Sequence, residues 1–338
     1  MKKRKGTALV TGASGGIGLE LANCFARGGH DLVLVARNRE KLKDVANNLA
    51  ARHHVRVSIL VKDLSRPAAP QKIFDELQKQ SIEIDVLVNN AGFGNFGIFA
   101  ESDSETTLQM LNLNINALTH LTRLFLPQML GRGRGRILNV ASTAAFQPGP
   151  LMAVYYASKS YVLSFSQALS NEVENSGVTV TCLCPGPTAS NFQNRAQMTD
   201  SKLFENRLMS SAQVARAGYT ATMRGKMLVI PGRSNAMWAF LTRFLPREMA
   251  PKMVRRIQDT KESKNDISST RSSDDANEPE AWATGFVKHR KKPVADAQGS
   301  LCGISRYALY SLPISGSTTG IPDQTAMFKM CATKVVRA

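Results

Sequence analysis

The sequence predicts a doubly wound α/β protein built on a parallel sheet of seven strands. Three observations carry this reading. Seven short apolar runs, at residues 7–11, 31–36, 56–61, 85–89, 136–141, 178–184 and 227–230, alternate with helix-length segments. Runs such as Leu32-Val33-Leu34-Val35 are apolar without a break, the texture of strands covered by helices on both faces. A glycine-rich turn closes the first run where a helix would begin. Parallel neighbours need a long crossover, and the spacing supplies one each time.

Taken in order, helices are expected at residues 17–27, 39–52, 70–80, 104–130 and 152–175, with two more between 190 and 224. Residues 1–233 form the expected α/β domain, whose segment at about 190–224 follows the sixth strand. Residues 234–260 read as an amphipathic helix broken at Pro246, followed by a short basic helix. From 261 to 338 the apolar period is lost. Ser, Asp and Asn crowd residues 264–280, so this tail is expected to be poorly ordered.

The net charge is +17. Residues 261–338 hold eleven Lys/Arg and eight Asp/Glu, so they contribute +3 and residues 1–260 the other +14. The cations are dispersed, without the aromatic interleaving of a nucleic-acid surface, and no nucleic-acid partner is expected. An anionic cofactor is the simpler use for them. The five cysteines include no CxxC. Cys182 and Cys184 would share one strand face as buried thiols rather than as a metal site or a disulfide, which suits a reducing compartment. The N-terminal Lys2-Lys3-Arg4-Lys5 precedes too short an apolar run for a signal peptide, and no run reaches 18 apolar residues. A cytoplasmic protein without metal is the expectation.

The chemistry lies in ordered motifs. Thr11-Gly12-Ala13-Ser14-Gly15-Gly16-Ile17-Gly18 joins the first strand to the first helix. Glycines let the chain turn tightly and approach a pyrophosphate, and the helix N-terminus offers free N–H groups; this makes the sheet a Rossmann-type one. The second strand ends at Ala36-Arg37 instead of the acid that would bond a bare ribose. Arg37, with Arg39 in support, can grip a 2′-phosphate, so NADP(H) is expected over NAD(H). Asn89-Asn90-Ala91-Gly92 follows the fourth strand. Asp63 follows the third, where a plain helix N-cap is the competing role. Tyr155 and Lys159 lie four apart, on one helix face, and an ammonium beside a phenol would lower its pKa. Ser142 ends the fifth strand thirteen residues before Tyr155.

The spacing T-G-x-x-x-G-x-G, together with N-N-A-G and Y-x-x-x-K, resembles the short-chain dehydrogenase/reductase family over residues 5–232. The resemblance implies a catalytic tetrad of Asn114, Ser142, Tyr155 and Lys159. Asn116 competes with Asn114, but Ala117, the small residue three positions on, selects Asn114. The resemblance further implies cofactor contacts from Gly12, Ser14, Gly15, Gly16, Ile17, Gly18, Arg37, Asp63, Asn90, Tyr155 and Lys159. Pro185, Gly186 and Thr188 would flank the nicotinamide, with Ser190 beside them. It implies a ketone or aldehyde interconverted with its alcohol, Tyr155 as acid/base, Asn114 supporting a water, and a homodimer or homotetramer. Two other readings stand beside it. One is a non-catalytic NADP-binding sensor or scaffold, against which the complete tetrad argues. The other is a membrane-surface reductase of lipid-like substrates, suggested by Met237-Trp238-Ala239-Phe240-Leu241 and the arginines after it. A helix packed on the domain is the preferred reading of that stretch.

Overall fold

The computed structural model describes residues 5–189, 192 and 208–258, apart from the side chain at 257. The tail 261–338, Ser190, and the first of the two helices expected between 190 and 224 lie outside the described residues. All described residues belong to one compact unit, Met1–Ala276.

The main sheet has seven strands, every pair parallel. They are β1 (Thr7–Thr11), β2 (Asp31–Ala36), β3 (Val57–Val61), β4 (Val86–Asn89), β5 (Gly135–Val140), β6 (Val178–Leu183) and, at the far edge, β9 (Leu228–Val229). Their order is β3-β2-β1-β4-β5-β6-β9, so the winding reverses between β1 and β4. A second, two-stranded parallel ladder, β7 (Thr188–Ala189) with β8 (Met209–Ser210), was not foreseen.

Strand alternation separates two cores. Ala8 and Val10 of β1 and Leu32 and Leu34 of β2 face α1 (Gly16–Arg27), α2 (Arg39–His53) and α7 (Ser211–Met223). Leu9, Val33 and Val35 face α3 (Ala69–Lys79), α5 (Leu118–Gly131) and α6 (Ala153–Glu172). Phe25 and Phe125 are fully buried on opposite sides. Continuous apolar strands are therefore what both faces demand.

The helix expected over 104–130 is not continuous. It divides into α4 (Ser104–Leu111), a π-helical segment Asn112–Ala117, and α5. After β9 come α8 (Arg233–Leu241), a 3₁₀ turn and α9 (Met249–Gln258). Beside β5, Gly177 has φ +78°, and a Cβ there would lie 1.9 Å from the carbonyl oxygen of Gly133. Backbone cannot yield as a side-chain tip would. Gly177→Ala should therefore cost about 2–4 kcal/mol through the left-handed φ and the clash together. Gly131→Ala, where a Cβ meets no atom within 4 Å, should be neutral or slightly stabilising. Urea melts of both variants check this; equal midpoints would refute it.

Candidate active site

A cleft of about 1010 Å³ runs along the carboxyl ends of the parallel strands, the position expected at a winding reversal. At one end lies the β1–α1 turn. Gly12 has φ +67°, and a Cβ on Gly18 would lie 2.3 Å from the Gly12 carbonyl oxygen, so neither tolerates a side chain. Gly12, Ser14, Gly15, Gly16, Ile17 and Gly18 all line the cleft. A Cβ on Gly15 would meet nothing within 4 Å, and α1 starts there with no side-chain cap. Its first N–H groups are thus available to an anion.

The turn is tied to β4 through Thr11. The Thr11 hydroxyl donates to Val88 O (3.1 Å) and accepts from the backbone N–H groups of Asn90 (2.9 Å) and Ala91 (3.0 Å). The Asn90 amide donates to Thr11 O at 2.8 Å and also lines the cleft. Its geometry holds the turn in place as well as facing the ligand space. Asn89 joins a buried chain, donating to Thr122 and to Asn139, whose amide donates to Ser166 on α6.

At the end of β2, Ala36 and the exposed Arg37 line the cleft. Arg39, the expected helper, is the first residue of α2 and does not line it; Lys41 and Lys62 do. Asn38 caps α2 by accepting from the Lys41 N–H (2.9 Å), and Asn38 and Lys41 both line the cleft. Lys62 is ion-paired with Glu76 at 2.9 Å. Asp63 lines the cleft, but the helix N-cap considered for it is corrected. α3 begins only at Ala69, and the Asp63 carboxylate accepts from the N–H and hydroxyl of Ser65.

At the other end, Ser142, Tyr155 and Lys159 line one wall. Ser142 follows β5; its hydroxyl accepts from Ala144 N–H (3.1 Å) and donates to Pro185 O (3.5 Å), beside the Tyr155 phenol. Lys159 donates to Val140 O at 3.0 Å and lies 5.7 Å from the Tyr155 ring centroid. Pro185, Gly186 and Thr188 line the cleft opposite, and Pro185 O accepts from Thr143 N–H. Asn114 is 1% exposed and is not part of the cleft wall. It sits in the π-helical segment, whose extra residue per turn breaks the i→i−4 ladder. Its amide donates to Phe93 O and to the Ser158 hydroxyl, and its carbonyl accepts from Phe93 N–H. Asn114 therefore clasps the chain after β4 to α6; Asn116, which bonds Asn112 at the surface, does not.

The electrostatics depart from the sequence expectation. Burial pushes the Tyr155 phenol above its ordinary range, with the Ser142 hydroxyl beside it pulling the other way. Lys159 is itself pushed down to about 8 by burial. The expected lowering of the phenol by the ammonium is not what the site displays, because desolvation in this dry wall outweighs one partner beside the ring.

Sequence reasoning missed the far wall. Trp238, Ala239 and Thr242 from α8 and the turn after it, and Val254 and Gln258 from α9, line the cleft. Ala250, Val254 and Gln258 fall four apart and are the buried side of α9. Val254 packs with Met152, Tyr155 and Tyr156, and Gln258 donates to the Tyr156 hydroxyl. Tyr156, set aside beside Tyr155 in the motif, is thus the docking point of α9. The four-residue spacing was visible, but not its target. Cys182 and Cys184 are fully buried free thiols 3.7 Å apart, as expected. Among the described residues no His/Cys/Asp/Glu group could hold a metal.

With this geometry in place, the comparisons with known proteins become interpretable. The family described as short chain dehydrogenase matches residues 6–201. The very-long-chain 3-oxoacyl-CoA reductase of Anas platyrhynchos is 36% identical over 184 residues, 53% of this chain and 58% of that protein. The chain thus spans little more than half the length of that curated relative. A short-chain dehydrogenase from Sphingobium yanoikuyae, solved in complex with NADPH, is similar with TM-score 0.65 and 31% identity, over 82% of this chain and 98% of that one. The bulky-bulky ketone specific alcohol dehydrogenase from Comamonas testosteroni follows with TM-score 0.62 and 28% identity, over 72% of this chain and 92% of that one.

Burying the Lys159 ammonium costs stability. Its folded pKa of about 8 lies below its unfolded value, so the unfolded chain binds more protons between the two. Stability should therefore rise with pH through the window from 8 to the ordinary lysine range. Lys159→Met removes the charge at similar volume, and should raise stability at pH 7 by about 1–3 kcal/mol. The gain should vanish at high pH, where both states hold a neutral amine. Denaturant melts at pH 7 and pH 10.5 check the sign; a destabilised variant at pH 7 would show that the Val140 hydrogen bond dominates.

Proposed function

The chain belongs to the short-chain dehydrogenase family, and from that premise we propose that it is an NADP(H)-dependent oxidoreductase interconverting a bulky ketone or aldehyde and its alcohol. One observation carries the reading. Ser142, Tyr155 and Lys159 share a cleft with an uncapped glycine-rich helix start. The open space at Gly15, where a Cβ would meet no atom, fits a dinucleotide pyrophosphate. Arg37 and Lys41, with Ala36 in place of an acid, fit a 2′-phosphate. The NADPH in the Sphingobium enzyme supports the same cofactor.

When bound, the cofactor supplies the hydride. The Ser142 and Tyr155 hydroxyls hold the carbonyl oxygen between them. The Tyr155 phenol is protonated at neutral pH, the form required of a proton donor in the reductive direction. Lys159 holds the sugar next to the reacting ring and places positive charge by the phenol as its proton leaves. Asn114 acts through position. It fixes Phe93 and Ser158, and Ser158 donates to the carbonyl of Tyr155 itself (2.7 Å).

Among the described residues, the substrate half is walled by Phe93, Phe146, Met152, Phe192, Trp238 and Val254, with the uncharged polar Gln147, Tyr156 and Gln258 beside them and Lys159 as its charged side chain. An apolar, bulky carbonyl compound fits this wall. The names of two relatives, a very-long-chain 3-oxoacyl-CoA reductase and a bulky-bulky ketone specific alcohol dehydrogenase, agree with a large carbonyl substrate, whereas another similar structure is an L-sorbose reductase, so the choice of an apolar compound rests on the wall itself.

Two experiments test the reading. Tyr155→Phe keeps the ring and loses the proton, so NADPH turnover with a reactive aryl ketone should fall at least ~100-fold while NADPH binding persists. Near wild-type turnover would sink the mechanism. The wild type should prefer NADPH over NADH by about tenfold or more in kcat/KM, and Ala36→Asp with Arg37→Ile should reverse the order by adding repulsion as it removes attraction. Equal use of both cofactors by the wild type would mean that Arg37 is a loop charge only.

A further inference from the structure

The helix pair that closes the cleft is unlike the rest of the surface. Twelve large hydrophobic residues are exposed among the described residues, and six of them fall within the thirteen positions 237–249. These are Met237, Trp238, Phe240, Leu241, Phe244 and Met249, with Phe244 72% and Met237 62% exposed. Only Ala239 is buried in α8. The sequence expectation of a helix packed on the domain by an amphipathic face is therefore corrected for α8. Its large apolar side chains, Met237, Trp238, Phe240 and Leu241, remain exposed.

Charge accompanies the apolar patch. Arg233, Arg243, Arg247, Lys252, Arg255 and Arg256 are all exposed, and Glu248 is the one acid between residues 233 and 258. A soluble surface does not gather six exposed apolar side chains without something to cover them. The cations select what that is. In a symmetric pair of this chain the same patch would meet itself, bringing six cations against six, which disfavours a second copy. An anionic bilayer surface offers acyl chains for Phe240, Leu241 and Phe244, an interface that suits Trp238, and headgroup phosphates for the arginines.

We propose that residues 233–256 form an interfacial anchor that seats the mouth of the cleft on an anionic phospholipid surface. Trp238 and Thr242 belong both to this segment and to the cleft wall, so the anchored face is the face through which an apolar carbonyl compound enters. The docking itself stands on the patch; only the delivery of substrate from the membrane rests on the oxidoreductase reading above.

The test uses the full chain and vesicles. The wild type should float with vesicles of phosphatidylcholine and phosphatidylserine, and bind phosphatidylcholine alone at least about tenfold more weakly. Raising salt from 0.1 to 0.5 M should weaken binding to a similar degree. Phe240→Ser with Phe244→Ser, neither of which lines the cleft, should reduce binding to anionic vesicles at least about tenfold. Thermal midpoint and NADPH turnover of a water-soluble aryl ketone should be retained. Failure of the wild type to bind anionic vesicles overturns the proposal. So does binding that the double variant leaves unchanged, which would reduce the effect to charge alone. A wild-type dimer that the double variant converts to monomer, without vesicle binding, assigns the patch to a second copy and also overturns it. Vesicle binding without NADPH turnover of any carbonyl compound leaves the anchor standing and refutes the oxidoreductase reading.

Discussion

Where parallel strands stop, their backbone polar groups lose their ladder partners, and the way this chain re-bonds them shapes the site. At the end of β1 the Thr11 hydroxyl serves Val88 O and two N–H groups of the segment after β4. At the end of β5 the Lys159 ammonium takes Val140 O. After β4 the Asn114 side chain takes both backbone groups of Phe93. Unbonded backbone groups in a buried edge are costly, so these side chains are held by obligations that fix their direction. Cleft residues such as Lys159 therefore also serve as stoppers of the sheet.

The same economy sets the chemistry. A lysine committed to a backbone carbonyl in a dry wall sits poorly as a cation, and its pKa falls to about 8. The neighbouring phenol, equally buried, is held protonated. The two shifts have one cause, the removal of water, and they act in opposite directions because one group is charged when protonated and the other when deprotonated. A group that must be both buried and ionisable carries such a desolvation cost in its environment. The π-helical segment belongs to the same compromise. An unbroken α-helix would point Asn114 elsewhere, so the helix gives up part of its hydrogen-bond ladder to aim one amide.

The extension after β9 connects the chemistry to the surroundings. Gly186 is open enough for the Asn235 amide to lie against it, at 2.5 Å from where a Cβ would stand. Asn235 in turn donates to Pro231 O, starting α8 beside Gly186 at the cleft. α9 then returns to Tyr156 and closes the far wall. One short segment therefore shapes the substrate space with its inner side chains and presents an apolar, cationic surface with its outer ones.

The sequence by itself determined the strands, their parallel pairing and the loop that begins α1, because apolar continuity and glycine spacing are local signals with few structural solutions. Helix period places Tyr155 and Lys159 on one face, and it was the family resemblance, through its thirteen-residue spacing, that added Ser142 to them. Only the tertiary structure decided the rest. Lys41 replaces Arg39 at the cleft, where Asn38 caps the start of α2. Asn114 faces a backbone loop because a π segment interrupts a pattern that reads as one helix. The direction of the Tyr155 shift depends on how much water the neighbouring elements exclude, and no spacing records that. α8 and α9 differ already in sequence, since α8 carries apolar side chains all round while α9 spaces Ala250, Val254 and Gln258 four apart, but which surface each helix meets is set by what lies opposite it and not by the helix alone.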